Sequence, residues 1–539
     1  LPSEIRIKKY IMSSYISLKE KSNHKAVSLI LTSLLANQVG LTSIPLDTKA
    51  ELVSSLLTDL DETGVQQKWN DNALQVLKVL GRDAKGCDNL FSDEGFKILL
   101  IHANLLHPES GSNETPVIQE SLTCLANTLL LEESTRELFD KYKCVPGVCQ
   151  FLKDEEISIK TQFLLSRILF VMTVNPQPAV QSLIDDLGII DILFKIVSKY
   201  VEELSGSNSS SREDINSLPI TRVMVLNEQL KLLFNLMMND PKIERDNDLQ
   251  EKGKSVDCPS KFEKLLLPVL KILLKISRSM QIPLSPPHSH AIHALLNFPI
   301  EPYKSIWFPP SSEKKEQYVI CYNLIDMLRS MIYTVVKNDH DEIISKNENN
   351  LDCFDEIITP LVVLIKKLAD EDDNAKILIG RELLPDNVDR SKPLEKGDNL
   401  TSRLIRLMTS VMLPHLKDNV SELLFSLCDQ DANLFVHNVG YGNAVGFLMN
   451  RNIMIPPSTT AKYSEKSINP ITGQYYDNEL PSLSNMTDEE KEREAEKLFV
   501  LFERLKKTGV MNVVNPIEEA IKSGKFQEYE EKFKDEDDD

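Results

Sequence analysis

One apolar pattern, repeated at helical spacing, decides most of what this chain is able to fold into. It runs over residues 71–80, 118–130, 160–174, 226–238, 290–298, 354–369, 400–412 and 420–428. The period of 3.6 puts one stripe of each helix into a core. Almost no segment alternates with the period of two that marks a half-buried strand. The helices also resemble one another. Ser121-Leu122…Leu125-Ala126-Asn127, Thr161-Gln162-Phe163…Arg167, Gln229-Leu230…Phe234-Asn235 and Ala291-Ile292…Leu296-Asn297 line up, with a later copy at 420–426. The step from Asn127 to Arg167 is about 40 residues, the period of armadillo and HEAT units. Such units have too little apolar surface to fold singly. The expected fold is therefore all-α, an armadillo/HEAT-repeat right-handed superhelix (a solenoid) around one continuous core.

Later steps lengthen to about 60–70 residues against that period. The excess falls in segments 202–219, 239–260, 301–315 and 338–350, rich in Ser, Asn, Pro or charge, which are expected to be loops. Around Gly440 the pattern changes. Gly440-Tyr441-Gly442-Asn443-Ala444-Val445-Gly446 gathers much of the scarce glycine, and Pro456-Pro457 stops any helix. A last helix opens at Thr487-Asp488-Glu489-Glu490, a capping box, with Ala495, Leu498, Phe499, Phe502 and Leu505 as its apolar stripe and Gly509 at its end. The expected organisation is a helical solenoid over 1–455, an irregular linker over 456–486, an amphipathic helix over 487–509 and an acidic, largely disordered tail over 510–539.

Several functional classes are disfavoured. Only 18 glycines occur, poor supply for all-β turns or phosphate loops. With 61 Lys+Arg against 81 Asp+Glu, the net charge of −20 repels nucleic acid and anionic membrane and suits basic partner surfaces. No apolar run of about 18 residues spans a bilayer. Eight scattered cysteines read as small buried hydrophobes in a reduced, cytoplasmic setting. A first residue of Leu1 in place of Met suggests a trimmed N-terminus. The 440–446 glycines follow no strand and lack Lys-Ser/Thr, so a tight helix connection is expected there and no nucleotide site. His288, His290 and His293 lack a nearby carboxylate or cysteine to complete a metal site, and capping or packing explains them. No nucleophile–base signature is present. The expectation is a binding protein that performs no covalent chemistry and needs no cofactor or metal.

A solenoid groove recognises a bound segment through side chains repeated at one register. Asn127, Asn235 and Asn297 form such a set, since an amide both donates and accepts. The alternative is that each asparagine caps or bridges its own repeat.

In the C-terminal half the chain resembles the synembryn family, the resistance-to-inhibitors-of-cholinesterase proteins. The motifs are Leu404-Ile405-Arg406-Leu407-Met408-Thr409, Glu422-Leu423-Leu424-Phe425-Ser426-Leu427-Cys428, Gly440–Gly446, Ser467-Ile468-Asn469-Pro470-Ile471-Thr472-Gly473 and Met486-Thr487-Asp488-Glu489-Glu490. Leu80-Gly81-Arg82-Asp83, Leu125-Ala126-Asn127 and Leu233-Phe234-Asn235 extend it loosely toward the N-terminus. The resemblance implies a folding chaperone and guanine nucleotide exchange factor for heterotrimeric G-protein α subunits, acting on the GDP-bound and nucleotide-free forms. It implies a groove that takes the Gα C-terminal helix, with the family's basic pair at Lys78 and Arg82 and further groove positions at Asn127, Phe234 and Asn235. Helix register extends that set to Phe163, Arg167 and Phe170. It also implies that Leu498, Phe499, Phe502 and Leu505 contact the Gα switch region. The family's acidic phosphorylated stretch is reduced here to 458–466, with few carboxylates, and its basic run after the Leu-Pro turn to Arg390 and Lys392. A monomer in the cytoplasm, recruited to the cell cortex, is expected. The competing class is an armadillo-type adaptor that binds cargo peptides without exchange activity. Such adaptors use regular Trp/Asn arrays, and only Trp69 and Trp307 occur here. A hydrolase with dispersed catalytic residues is the third option.

Overall fold

The computed structural model describes residues 15–16, 24–36, 41, 44–63, 69–106, 114–174, 178–206, 220–240, 261–279, 282–335 and 351–453. Among them there are helices and turns and no strand. Eight of the described helices form one row: α1 (His24–Leu35), α2 (Asn70–Leu80), α3 (Pro116–Leu131), α4 (Ile159–Met172), α5 (Arg222–Met238), α6 (His288–Leu296), α7 (Leu351–Glu371) and α8 (Pro414–Leu427). Each packs against the next. A second row backs the first. Asp93–His102 packs on α3, Val145–Leu152 on α4, Ile189–Ser205 on α5, Glu263–Lys275 on α6 and Val319–Val335 on α7. From Val145–Leu152 onward, these second-row helices also touch in succession. Like-on-like packing of this sort defines a repeat stack of the armadillo/HEAT kind.

Local chemistry starts the row helices in a common way. The Thr115 hydroxyl accepts from the Ile118 N–H at 3.3 Å, and Pro116 follows at the first helical position. Ser158 accepts from the Thr161 N–H at 3.2 Å to open α4, and Thr221 from the Met224 N–H at 3.4 Å to open α5. A hydroxyl satisfies one orphan amide at each start, and proline has no amide to satisfy. Leu122, Leu125 and Leu129 of α3, Leu165, Ile168 and Leu169 of α4, and Leu226, Leu230 and Leu233 of α5 are fully buried between the rows.

Polar links then hold one repeat to the next. Gln229 Nε2 donates to Ser166 Oγ at 2.5 Å inside the core. Lys367 of α7 donates to the Leu296 and Phe298 carbonyls, each at 2.8 Å, closing the end of α6. Asp355, also on α7, accepts from the His415 and Leu416 amides at 3.1 and 2.6 Å where α8 begins. Cys87, Cys124, Cys144, Cys149, Cys321 and Cys428 are buried, and burial pushes the Cys124, Cys144 and Cys149 thiols up to about 12. They behave as the small hydrophobes the sequence suggests.

Three boundaries differ from expectation. Residues 202–205, assigned to a loop, complete the helix Ile189–Ser205, because Val201 and Leu204 continue its apolar stripe onto the core. Segment 301–315, also expected to be a loop, contains the short helices Glu301–Tyr303 and Lys304–Trp307 and is packed through Tyr303, Trp307 and Phe308. The Trp307 indole N–H donates to the Pro299 carbonyl at 3.1 Å. Three large aromatic rings outweigh the prolines there. The helix expected over 400–412 stops at Leu407. The Thr409 and Ser410 amides bond three residues back, at 3.2 and 3.1 Å, which tightens the chain out of the α-helix. Val411 and Met412, which prolonged the apolar pattern, are exposed.

At Gly440 the expected tight connection is found. With a φ of +82°, it alone joins Ala432–Val439 to Tyr441–Asn450. Gly442 and Gly446 lie within the second of these helices, so helical packing continues to Asn450.

Candidate functional site

Helices α2–α6 carry charged and aromatic side chains in half-buried positions. Lys78 lies in the last turn of α2, and Arg82 follows one residue past Gly81, exposed. Lys78 Nζ donates to Glu120 Oε2 of α3 at 2.5 Å, and Lys160 of α4 donates to the other oxygen of the same carboxylate at 2.7 Å. Burial pushes the Glu120 carboxyl up, but the Lys160 and Lys78 ammonium groups overcome that and hold it below the ordinary carboxylate range. Next along the row, Glu228 of α5 accepts from Lys231 at 2.6 Å and lies 3.5 Å from Arg167 of α4.

Aromatic rings sit between these charges. The Arg167 guanidinium lies 5.9 Å from the Phe163 ring, and Lys231 Nζ lies 4.4 Å from the Phe170 ring, within cation–π range. Phe234 meets His293 edge-on, centroids 6.2 Å apart. Burial, then the positive charge of Lys231, pushes the His290 imidazole down to about 4, so it is neutral near pH 7. His288 Nε2 lies 3.2 Å from the Ile276 carbonyl oxygen, and His293 Nδ1 lies 2.8 Å from that of Ser289. The three histidines thus have packing and capping roles. Lys78, Phe163, Arg167, Phe170 and Phe234 belong to one run of five consecutively packed helices. Arg82 adds an exposed cation at its end.

The asparagines differ among themselves. Asn127 is half-buried on α3. Asn235 Nδ2 donates to the Phe170 carbonyl at 3.4 Å and to Thr173 Oγ1 at 3.2 Å, tying α5 to the end of α4. Its donor side thus bridges two neighbouring repeats, whereas the alternative had it bridge its own. Asn297 caps the C-terminus of α6, with its Nδ2 buried and lacking an acceptor among the described residues. Leu498, Phe499, Phe502 and Leu505 lie outside the described residues, as do the 456–486 linker and the 510–539 tail. Trp69 and Trp307 are both buried.

Glu120, Lys160, Glu228 and Lys231 complete the charge pattern and were not singled out from the sequence. A signal was present. Glu120 precedes Ser121-Leu122, Lys160 precedes Thr161-Gln162 and Glu228 precedes Gln229-Leu230, the same register position with signs alternating along the row.

These rows of like helices make the chain an all-α repeat protein of the armadillo/HEAT kind, with a cation-rich, aromatic face on one row. The family model described as guanine nucleotide exchange factor synembryn matches residues 73–525. The chain belongs to that family. "Chaperone Ric-8A" of Gallus gallus is 25% identical over 502 residues, covering 87% of this chain and 89% of that one. The protein of the same name from Mus musculus is 25% identical over 483 residues, 85% of each chain. That from Danio rerio is 25% identical over 487 residues, 86% of this chain and 84% of that one. A solved chain from a study of a phosphorylation switch between cadherin and β-catenin covers 80% of this chain and 86% of its own, at 10% identity and a TM-score of 0.33. That overlap is too slight to bear on the fold. Among the described residues no helix is long and apolar enough to cross a membrane.

Proposed function

We propose that this chain is a folding chaperone and guanine nucleotide exchange factor for heterotrimeric G-protein α subunits, acting by binding alone, without cofactor or covalent chemistry. The face of α2–α6 takes the C-terminal helix of Gα. The single observation that carries this reading is the set of half-buried cations and phenyl rings on α2, α4 and α5, neighbours in one packed row, in a chain of the synembryn family. Rings accept the apolar side of an amphipathic helix, and the cations accept its carboxylates. Drawing the terminal helix out of Gα removes packing beneath its guanine pocket. By linkage, the factor by which the bound chain weakens GDP is the factor by which GDP weakens the chain. The stripe Leu498, Phe499, Phe502 and Leu505 serves as a second contact, at the switch region. A monomeric, cytoplasmic protein recruited to the cell cortex fits this role.

The adaptor reading receives less support, since a peptide-binding tryptophan array needs exposed indoles and both tryptophans are buried.

The test is GDP release. Because Lys78 bonds a buried carboxylate, charge reversal at Lys78 would oppose two negative groups. Lys78→Gln with Arg82→Gln is the cleaner variant. It is expected to keep the helical circular dichroism of the parent and to slow GDP release from purified GDP-loaded Gα by about tenfold, the loss of one charge-assisted contact. An unchanged release rate would refute the assignment of this face.

A further inference from the structure

The cations of this face are organised in two nodes, each a buried carboxylate with two cations: at Glu120 they come from the helices on either side, and at Glu228 one comes from α4 and the other from its own helix. In the first, the Glu120 carboxylate, with 9% of its side chain exposed, is bracketed by Lys78 (26%) and Lys160 (33%). In the second, the Glu228 carboxylate, 5% exposed, is bracketed by Arg167 (33%) and Lys231 (25%). Each node holds two positive charges against one negative, a surplus of one. The negative member is the deep one and the positive members reach solvent. A buried carboxylate in that place fixes the cations without cancelling them.

The two nodes share helix α4. Lys160 and Arg167 are seven residues apart, two turns, on one face of α4 and about 10 Å from each other along its axis. Phe163 and Phe170 continue the same stripe, so α4 presents cation, ring, cation, ring in order. Lys160 is anchored backward to α3 and Arg167 forward to α5.

We propose that the face has two anion subsites, and that its occupant is an amphipathic acidic helix with carboxylates two turns apart and apolar side chains between them. The inference rests on the reading of this face as the seat of a partner helix, and it adds the spacing that selects the helix. An acid at position i reaches the Lys78/Lys160 node and an acid at i+7 the Arg167/Lys231 node. The intervening apolar residue meets the Phe163 ring. An acid at i+5 points to the far side of the same helix, so a peptide of equal charge but that spacing engages one node only. Glu120 and Glu228 act as positioning residues.

The experiment uses the full chain and two synthetic helical peptides of identical composition, C-terminally amidated, with glutamates seven or five residues apart. Binding is followed by fluorescence anisotropy. The seven-spaced peptide is expected to bind about tenfold tighter, one charge-assisted contact's worth. The variant Arg167→Gln, Glu228→Gln, Lys231→Gln removes the second node without leaving a buried carboxylate unpaired. It should erase that advantage and leave the five-spaced peptide nearly unaffected. Equal affinity for the two peptides, or equal weakening of both by the variant, overturns the two-subsite inference. GDP release from Gα, measured in parallel, separates the two claims. If release is accelerated while the peptides are indistinguishable, only the spacing fails. If neither peptide binds and release is unaffected, both readings fail.

Discussion

Replacing Glu120 by glutamine isolates the electrostatic design of the first node. The carboxylate is almost wholly buried and bonds two ammonium groups at 2.5 and 2.7 Å. Each charge-assisted bond is worth about 1.5–3 kcal/mol. Two terms reduce the loss. Both lysines keep a quarter to a third of their surface in water, so they turn outward once released, and glutamine escapes the cost of burying a charge. The net destabilisation is about 2 kcal/mol at pH 7. Urea unfolding of both chains across pH distinguishes this from lost packing. The folded carboxyl is held below its ordinary range, so as pH falls the unfolded chain takes up the proton first. The stabilisation is complete above about pH 4.3, the free glutamate value, and disappears as pH drops through the depressed folded value. Glutamine does not titrate. The gap between the two chains should therefore stay level from pH 7 to 5 and close below about pH 4. A gap that persists in acid, or no gap at pH 7, would refute the reasoning.

Two further substitutions test how the stack is held together. Asp355→Asn weakens the acceptor that α7 offers to the first amides of α8, so about 1 kcal/mol of stability should be lost. Faster hydrogen exchange at His415 and Leu416 would report it, and unchanged protection there would count against the capping role. Gly440→Ala forces a side chain into φ +82°, ψ 143°, at a cost of about 1–3 kcal/mol. A lowered melting temperature checks this, and a stability equal to the parent would show that the connection relaxes.

Much of the fold was legible from short-range pattern. Seven of the eight row helices, all but α1, are foretold by apolar period, because that signal acts within one or two turns. The failures at 202–205, 301–315 and 408–412 share a cause. Composition there pointed one way, and contact with the stack decided the other. Trp307 and Phe308 became core because neighbouring helices cover them, while Val411 and Met412 stayed in water because nothing does.

Among the site residues, register alone put Phe163, Arg167 and Phe170 on one stripe of α4, and the structure keeps them there. The partners of those side chains were beyond local inference. Lys78 finds Glu120 across 42 residues and Arg167 finds Glu228 across 61, distances set by how far each repeat's connection runs before the next helix stacks. Local sequence therefore determined that the chain would be helices and which side of each would be apolar. Only the stacking of those helices decided which charge faces which, because an ion pair depends on positions in space that loops of unequal length leave unspecified.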